Sequence, residues 1–161
     1  EDPALMILPF LKLHCMQPGD GLFVGTGMPH CYLSGMAVEF MPLSENVIRG
    51  GFTQKNIDTE RFVEMTNFEN SFTPVQVPTG DLHIYDSFIK GMEIRRIKST
   101  SFINQAHEGK DLIVCVEGDV VLEAKKRKLF SRGEALLIDA SIGDCSVEVN
   151  GEAYMATFLG R

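Results

Sequence analysis

The sequence has no surplus of positive charge: 15 Lys and Arg stand against 22 Asp and Glu, a formal net charge of −7 over 161 residues. Nucleic acid and anionic membrane surfaces are held by basic faces, so neither is an expected partner. No apolar run approaches the roughly 18 residues that a membrane span needs, and no signal-peptide pattern opens the chain. None of the four cysteines, Cys15, Cys31, Cys115 and Cys145, belongs to a CxxC pair. Each sits near apolar residues such as Leu13, Tyr32, Val114 and Val147, the setting of reduced, packed thiols in a cytoplasmic protein rather than of a disulfide frame. The first residue is Glu rather than Met, and Glu1-Asp2-Pro3 runs straight into Ala4-Leu5-Met6-Ile7-Leu8. A piece of a longer chain is the expectation.

What the sequence does have is 44% apolar residues, enough to bury a core, and frequent turn signals. Its organising stretch runs from Pro18-Gly19-Asp20 to Pro29-His30-Cys31-Tyr32. Pro18 and Gly19 predict a tight turn, and Leu22-Phe23-Val24 a short strand bounded by Gly25 and Gly27. Pro29 pins the backbone just before His30, which suits an imidazole offered to a metal and equally a hydrogen-bonded residue at the rim of a core. Phe10–Met16 is expected to pair with Leu22–Val24. Tyr32-Leu33, a Ser34-Gly35 turn and Met36–Met41 predict a second pair. Glu39, within the otherwise apolar Met36–Met41, faces either solvent or a polar site. Between Ser44 and Lys55, polar residues surround Gly50-Gly51 with Arg49 and Lys55 close by: a surface loop, or a loop that meets an anion, Arg as a fork and Lys as a point charge.

Asp58 or Thr59 caps a predicted helix reaching Asn67, with Phe62 and Met65 on one side. Asn70-Ser71-Phe72-Thr73-Pro74 and Val77-Pro78-Thr79-Gly80 then break the pattern, which sets a domain boundary there: residues 1–73, then 74–161. The remainder reads as eight short strands, Leu82–Tyr85, Met92–Arg96, Leu112–Val116, Val120–Leu122, Lys128–Phe130, Ala135–Ile138, Cys145–Val149 and Ala153–Phe158. Glu117-Gly118-Asp119, Ser131–Glu134 and Asn150-Gly151 are expected as turns, and Lys125-Lys126-Arg127-Lys128 as a solvated hairpin tip. Strands at this spacing predict a small closed barrel or jelly roll.

Val116–Leu122 resembles the first hairpin of a cupin, and Arg132–Ala140 the strand leading to its second metal-binding His. Gly143-Asp144-Cys145 stands where that His belongs, so this half is expected to carry no metal. The N-terminal half, in Pro18-Gly19-Asp20, Pro29–Gly35, Val38–Met41 and Ser44–Asp58, resembles type I mannose-6-phosphate isomerase, over about the first 70 residues. The resemblance implies a mainly β protein of cupin-like jelly-roll barrels: part of a catalytic cupin, a short helix, then a C-terminal cupin-like β-barrel. It implies isomerisation of mannose 6-phosphate and fructose 6-phosphate with one Zn²⁺ held by His30. Tyr32, Glu39 and Lys55 then line the sugar-phosphate pocket, and Arg49 stands nearest the reacting oxygens. Gly50 replaces a usual Ala, and Gln54 a usual Pro. The family's other zinc ligands, a Gln, a His and a Glu, come from a region this chain does not include, and His14, His83 and His107 do not fall on those positions. The chain alone is therefore expected to be inactive, to hold zinc weakly, and to self-associate or keep its missing N-terminal part as partner. The other class of reading keeps the fold without the chemistry: a non-catalytic cupin-like module that binds a sugar phosphate or supports a partner.

Overall fold

Among the described residues seven strands pair antiparallel in one sheet: β1 (Leu82–Tyr85), β2 (Met92–Lys98), β3 (Ser101–Asn104), β4 (Lys110–Glu123), β5 (Arg127–Ser131), β6 (Ala135–Asp139) and β7 (Cys145–Phe158). The computed structural model describes residues 2–42, 46–69 and 73–159. The expectations resting on Glu1, on Ser44-Glu45 and on Asn70-Ser71-Phe72 lie outside the described residues. Contacts divide the chain into two compact units, Glu1–Gln17 with Val24–Pro74, and Pro18–Phe23 with Val75–Arg161.

In the second unit, β4 and β7 are the spine, 14 residues each and paired with one another from end to end. The first half of β4 has β6 on its free edge, and the second half has β5. Likewise β7 meets β3 through its first half and β2, then β1, through its second. The two spine strands thus pass together from the layer β1-β2-β7-β4-β6 into the layer β3-β7-β4-β5. This is how a jelly roll closes an apolar interior with few long strands. Alternate residues supply that interior: Ile113 and Cys115 on β4, Val147 and Val149 on β7, with Ile97, Val120 and Met155, are all at most 1% exposed. Each such aliphatic side chain contributes about 1.5–3 kcal/mol by leaving water.

Two predicted turns are not turns. Glu117-Gly118-Asp119 and Asn150-Gly151 lie inside β4 and β7, where Gly118 faces Gly151 across the ladder beside a bulge between Cys115 and Glu117. Glycines on facing strands bend the pair without ending it. The predicted turn at Ser131–Glu134 is present, with Glu134 N–H donating to Ser131 O at 3.0 Å. So is the basic hairpin tip, where Arg127 pairs with Glu123 at 3.2 Å in the open. Cys115 and Cys145 are buried, as packed thiols should be, whereas Cys15 and Cys31 are exposed. In both exposed cases the apolar neighbours are exposed too, Leu13 and Tyr32 among them, so no core forms around the thiol.

Polar side chains within this unit are tied in two clusters. Arg96 on β2 makes a two-pronged contact with Glu152 on β7, at 3.1 and 2.9 Å, and the Tyr154 hydroxyl donates to the same carboxylate at 2.6 Å. Asp111, 2% exposed, accepts from Thr157 at 2.6 Å, Asn104 at 2.9 Å and His107 Nε2 at 3.0 Å. His107 Nδ1 accepts from Gly109 N–H at 3.0 Å, so the ring proton sits on Nε2 and points at the carboxylate. Pro18–Phe23 is strapped to the sheet. Gly21 and Gln76 exchange backbone hydrogen bonds at 2.9 and 2.8 Å, the Tyr85 hydroxyl donates to Gly19 O, and Phe23 packs on Phe88 with ring centroids 5.1 Å apart.

The first unit contains the predicted helix, α1 (Thr59–Met65), with Asp58 as its cap accepting from Arg61 N–H at 3.0 Å. Two short 3-10 turns, Pro3–Met6 and Leu8–Phe10, precede it. The expected strand pairs, Phe10–Met16 with Leu22–Val24 and Tyr32-Leu33 with Met36–Met41, are absent among the described residues. Only Gly21 makes a β-bridge there, to Gln76. A lone two-stranded hairpin needs a third strand or a covering face to hold it. Here the apolar side chains that would have packed are open, with Phe10 86%, Met36 78% and Leu33 70% exposed. Among the described residues no helix is long and apolar enough to cross a membrane.

Candidate functional site

The backbone from Val24 to His30 is a pinned turn rather than a strand. Met28 N–H closes it on Gly25 O at 3.2 Å, and Gly27 O accepts from Asn67 N–H, beyond the end of α1, at 2.8 Å. His30 follows Pro29 and folds its ring back, so that Nδ1 lies 2.8 Å from Met28 O. A carbonyl only accepts, so Nδ1 carries the proton and Nε2 keeps its lone pair. The ring is exposed and its Nε2 is the nitrogen left available to a metal. A histidine ligand oriented by a backbone carbonyl in this way is the usual arrangement at metal centres.

Three of the five predicted site residues are brought together. The His30 and Tyr32 rings meet edge to face with centroids 6.0 Å apart. The Tyr32 hydroxyl lies near enough to the Glu39 carboxylate to feel its charge. Desolvation of the phenol, then the neighbouring Glu39 carboxylate, push Tyr32 above its ordinary pKa. Glu39 itself is exposed, so its carboxylate stays at the surface rather than sunk in a core. The loop after it brings Arg49, half-buried, to the N-terminal end of α1, where Arg49 O accepts from Asp58 N–H at 3.2 Å. Among the described residues the Arg49 guanidinium has no hydrogen-bond or ion-pair partner. Lys55 is exposed at a tight turn, its N–H donating to Thr53 Oγ1 at 3.1 Å. The structure records no contact that joins Arg49 or Lys55 to the His30–Tyr32–Glu39 group.

As a zinc site this set is partial. Nε2 of His30 suits the ion in chemistry and tautomer, but no group of three His, Cys, Asp or Glu gathers among the described residues. Protein zinc sites take three or four ligands, so the residues present supply one. Sequence reasoning missed the parts that hold these side chains in place: Met28 O on the imidazole, Asn67 N–H on Gly27, and the Phe62 ring against Gly50. These are backbone contacts or packing between segments distant in sequence, and the one available signal was Gly27, whose φ of 74° requires glycine.

No family model matches the chain. Individual proteins do. The mannose-6-phosphate isomerase of Escherichia coli is 31% identical over 170 aligned residues, which span 100% of this chain and 42% of that protein. Mannose-6-phosphate isomerase 2 of Arabidopsis thaliana is 31% identical over 147 residues, 86% of this chain and 32% of its own length. A probable mannose-6-phosphate isomerase of Caenorhabditis elegans is 45% identical over 69 residues, 43% of this chain and 17% of its own. The chain thus spans less than half the length of these relatives. Among solved structures, mannose 6-phosphate isomerase from Salmonella typhimurium bound to its substrate and zinc superimposes with a TM-score of 0.55, at 21% identity over 71% of this chain and 31% of that one. That likeness bears out the mainly β fold expected for the chain.

Proposed function

We propose that this homologue of the mannose-6-phosphate isomerases is part of such an enzyme, interconverting mannose 6-phosphate and fructose 6-phosphate in the cytoplasm, with residues 1–73 in the catalytic domain and 74–161 a C-terminal domain without metal. The observation that carries the reading is the imidazole of His30, its Nδ1 committed to Met28 O at 2.8 Å and its Nε2 free to bind an ion beside Tyr32 and Glu39.

The reaction moves a proton between C1 and C2 of the sugar while negative charge develops on O1 and O2. It needs a base, an electrophile and cations for the phosphate. When bound, Zn²⁺ would supply the Lewis acid for that oxygen charge. Arg49, with its guanidinium uncommitted among the described residues, stabilises the same charge as it grows. Lys55 attracts the phosphate as a mobile point charge. Tyr32 offers its hydroxyl to the sugar, and the neighbouring Glu39 carboxylate orients that hydroxyl or a sugar hydroxyl. The remaining zinc ligands come from the part of the enzyme outside this chain, so the chain alone is inactive.

In the full-length protein His30→Ala is expected to lose zinc and to lower kcat/KM by at least about 100-fold. Arg49→Ala keeps zinc and loses about 100- to 1,000-fold in kcat. The check is zinc content by elemental analysis beside a coupled isomerase assay. A full-length protein without isomerase activity, or one whose zinc survives His30→Ala, refutes the reading.

The exposed apolar residues of the first unit, Phe10, Phe68 at 80%, Met36 and Met6 at 77% among them, are surface for the rest of the enzyme to cover. Deprived of it, the isolated chain self-associates; light scattering that finds only monomer at micromolar concentration rules this out.

A further inference from the structure

Helix α1 touches both candidate loops, one at each end. At its start, Asp58 N–H holds Arg49 O at 3.2 Å, and the Phe62 ring lies so close to Gly50 that a Cβ there would come within 2.8 Å of it. At its end, Thr66 Oγ1 ties back to Phe62 O at 2.7 Å, and Asn67 N–H holds Gly27 O at 2.8 Å. A Cβ on Gly27 would lie 2.7 Å from Met65 O, so this approach too has no slack. Between the two ends run the seven residues of one helix, about 10 Å at 1.5 Å per residue. From Gly27 only Met28 and Pro29 intervene before His30, and Arg49 is the residue before Gly50. The helix exposes Val63 and Met65. Its seven residues are too few to persist on propensity alone, so its contacts with the two loops are what give it a place.

We propose that α1 is a spacer that sets where the Arg49 guanidinium stands relative to His30, with Phe62 as the positioning residue at the Arg49 end. This rests on the isomerase reading above. Phe62 touches neither metal nor substrate; it acts through Gly50 on the residue before it. Misplacing a reacting group by about 1 Å costs on the order of 100-fold in rate. Because the two ends of the helix serve different groups, damage at each end has its own signature.

The experiment uses the full-length, zinc-loaded protein and reads kcat, KM and zinc affinity by competition with a chromophoric chelator. Phe62→Ala is expected to lower kcat about 10- to 100-fold with zinc affinity within about 2-fold of wild type, and Phe62→Leu to restore most of the rate. Gly27→Ala, at the other end, lowers zinc affinity by about 10-fold. Should Phe62→Ala fail to fold, Phe62→Val, which also withdraws the ring from Gly50, carries the test at that end. Wild-type kcat in Phe62→Ala, or in Phe62→Val where that variant has to stand in for it, overturns the proposal. So does a parallel fall of rate, zinc affinity and melting temperature in every variant, which marks α1 as structural only. A wild-type protein that lacks isomerase activity, or keeps its zinc in His30→Ala, brings down the isomerase reading and this inference with it.

Discussion

Glu152→Ala lowers the unfolding free energy of the chain by about 3–5 kcal/mol, because it strands the Arg96 guanidinium in a place where water cannot replace the lost partner. Arg96 and Glu152 are 8% and 9% exposed, and the carboxylate is met by both the guanidinium and the Tyr154 hydroxyl. Removing it leaves a buried charge and a half-buried hydroxyl without their common partner. The ion pair is not a large stabiliser in itself, since desolvation of two charges offsets most of their attraction. The double variant Arg96→Met/Glu152→Leu is therefore expected to lie within about 2 kcal/mol of wild type, far above the single variant. Urea denaturation of the three proteins decides it, and equal losses in the single and double variants would show that the site tolerates no repacking. The same carboxylate gives a pH signature. The Arg96 hydrogen bond, outweighing desolvation, holds Glu152 below its ordinary value of 4.5 in the folded state. Its contribution is therefore complete above that ordinary value and is lost as pH falls through the lower folded one. Acid unfolding of the wild type should begin below about pH 4.5, and that part of the profile should vanish in the double variant.

Much of this fold is legible in the sequence because it is written locally. Short alternating runs mark β1, β2, β5 and β6, and Asp58 marks the start of α1 by the side chain that caps it. β3 escaped, since Ser101 and Asn104 leave only Phe102 and Ile103 to suggest a strand, and it is held by its register on β7. The N-terminal alternations misled for the opposite reason: Phe10–Met16 and Met36–Met41 have the composition of strands and, within this chain, nothing to pair with. For the site, residue types and spacing singled out His30, Tyr32 and Glu39, which the structure gathers into one contact chain. The frame that holds them is not legible, because Met28 O, Asn67 N–H and the space beside Gly50 are properties of backbone path rather than of residue type.

The limit of local reading is sharpest at Gly118, a turn signal that turns nothing, and there a single methyl group is expected to cost about 4 kcal/mol. Gly118 has φ 70°, and a Cβ built on it falls 1.8 Å from Asn150 O on the facing strand. Gly151 opposite is as confined, its Cβ position 2.2 Å from Glu117 O. The obstacle in both cases is backbone in the middle of the longest ladder of the fold, so no rotamer change relieves it. The bulge beside Gly118 also redirects hydrogen bonds that the ladder gives up. Gly118 O accepts from Arg132 N–H at 3.1 Å, and Cys115 exchanges bonds with Gly133 N–H at 2.8 Å and Glu134 O at 3.0 Å. Forcing β4 and β7 apart there disturbs the turn after β5 as well, and with it the bend by which both spine strands pass from one layer to the other. Gly133→Ala separates conformation from crowding: φ is 87° there too, but no heavy atom lies within 4 Å of the added carbon. It should cost about 1 kcal/mol, the penalty of a left-handed alanine alone. Thermal melts are then expected to place Gly118→Ala roughly 10 °C below wild type and Gly133→Ala within a few degrees of it. If the two variants melt together, the strands separate more easily at Gly118 than this geometry allows, and the bend is a hinge rather than a joint.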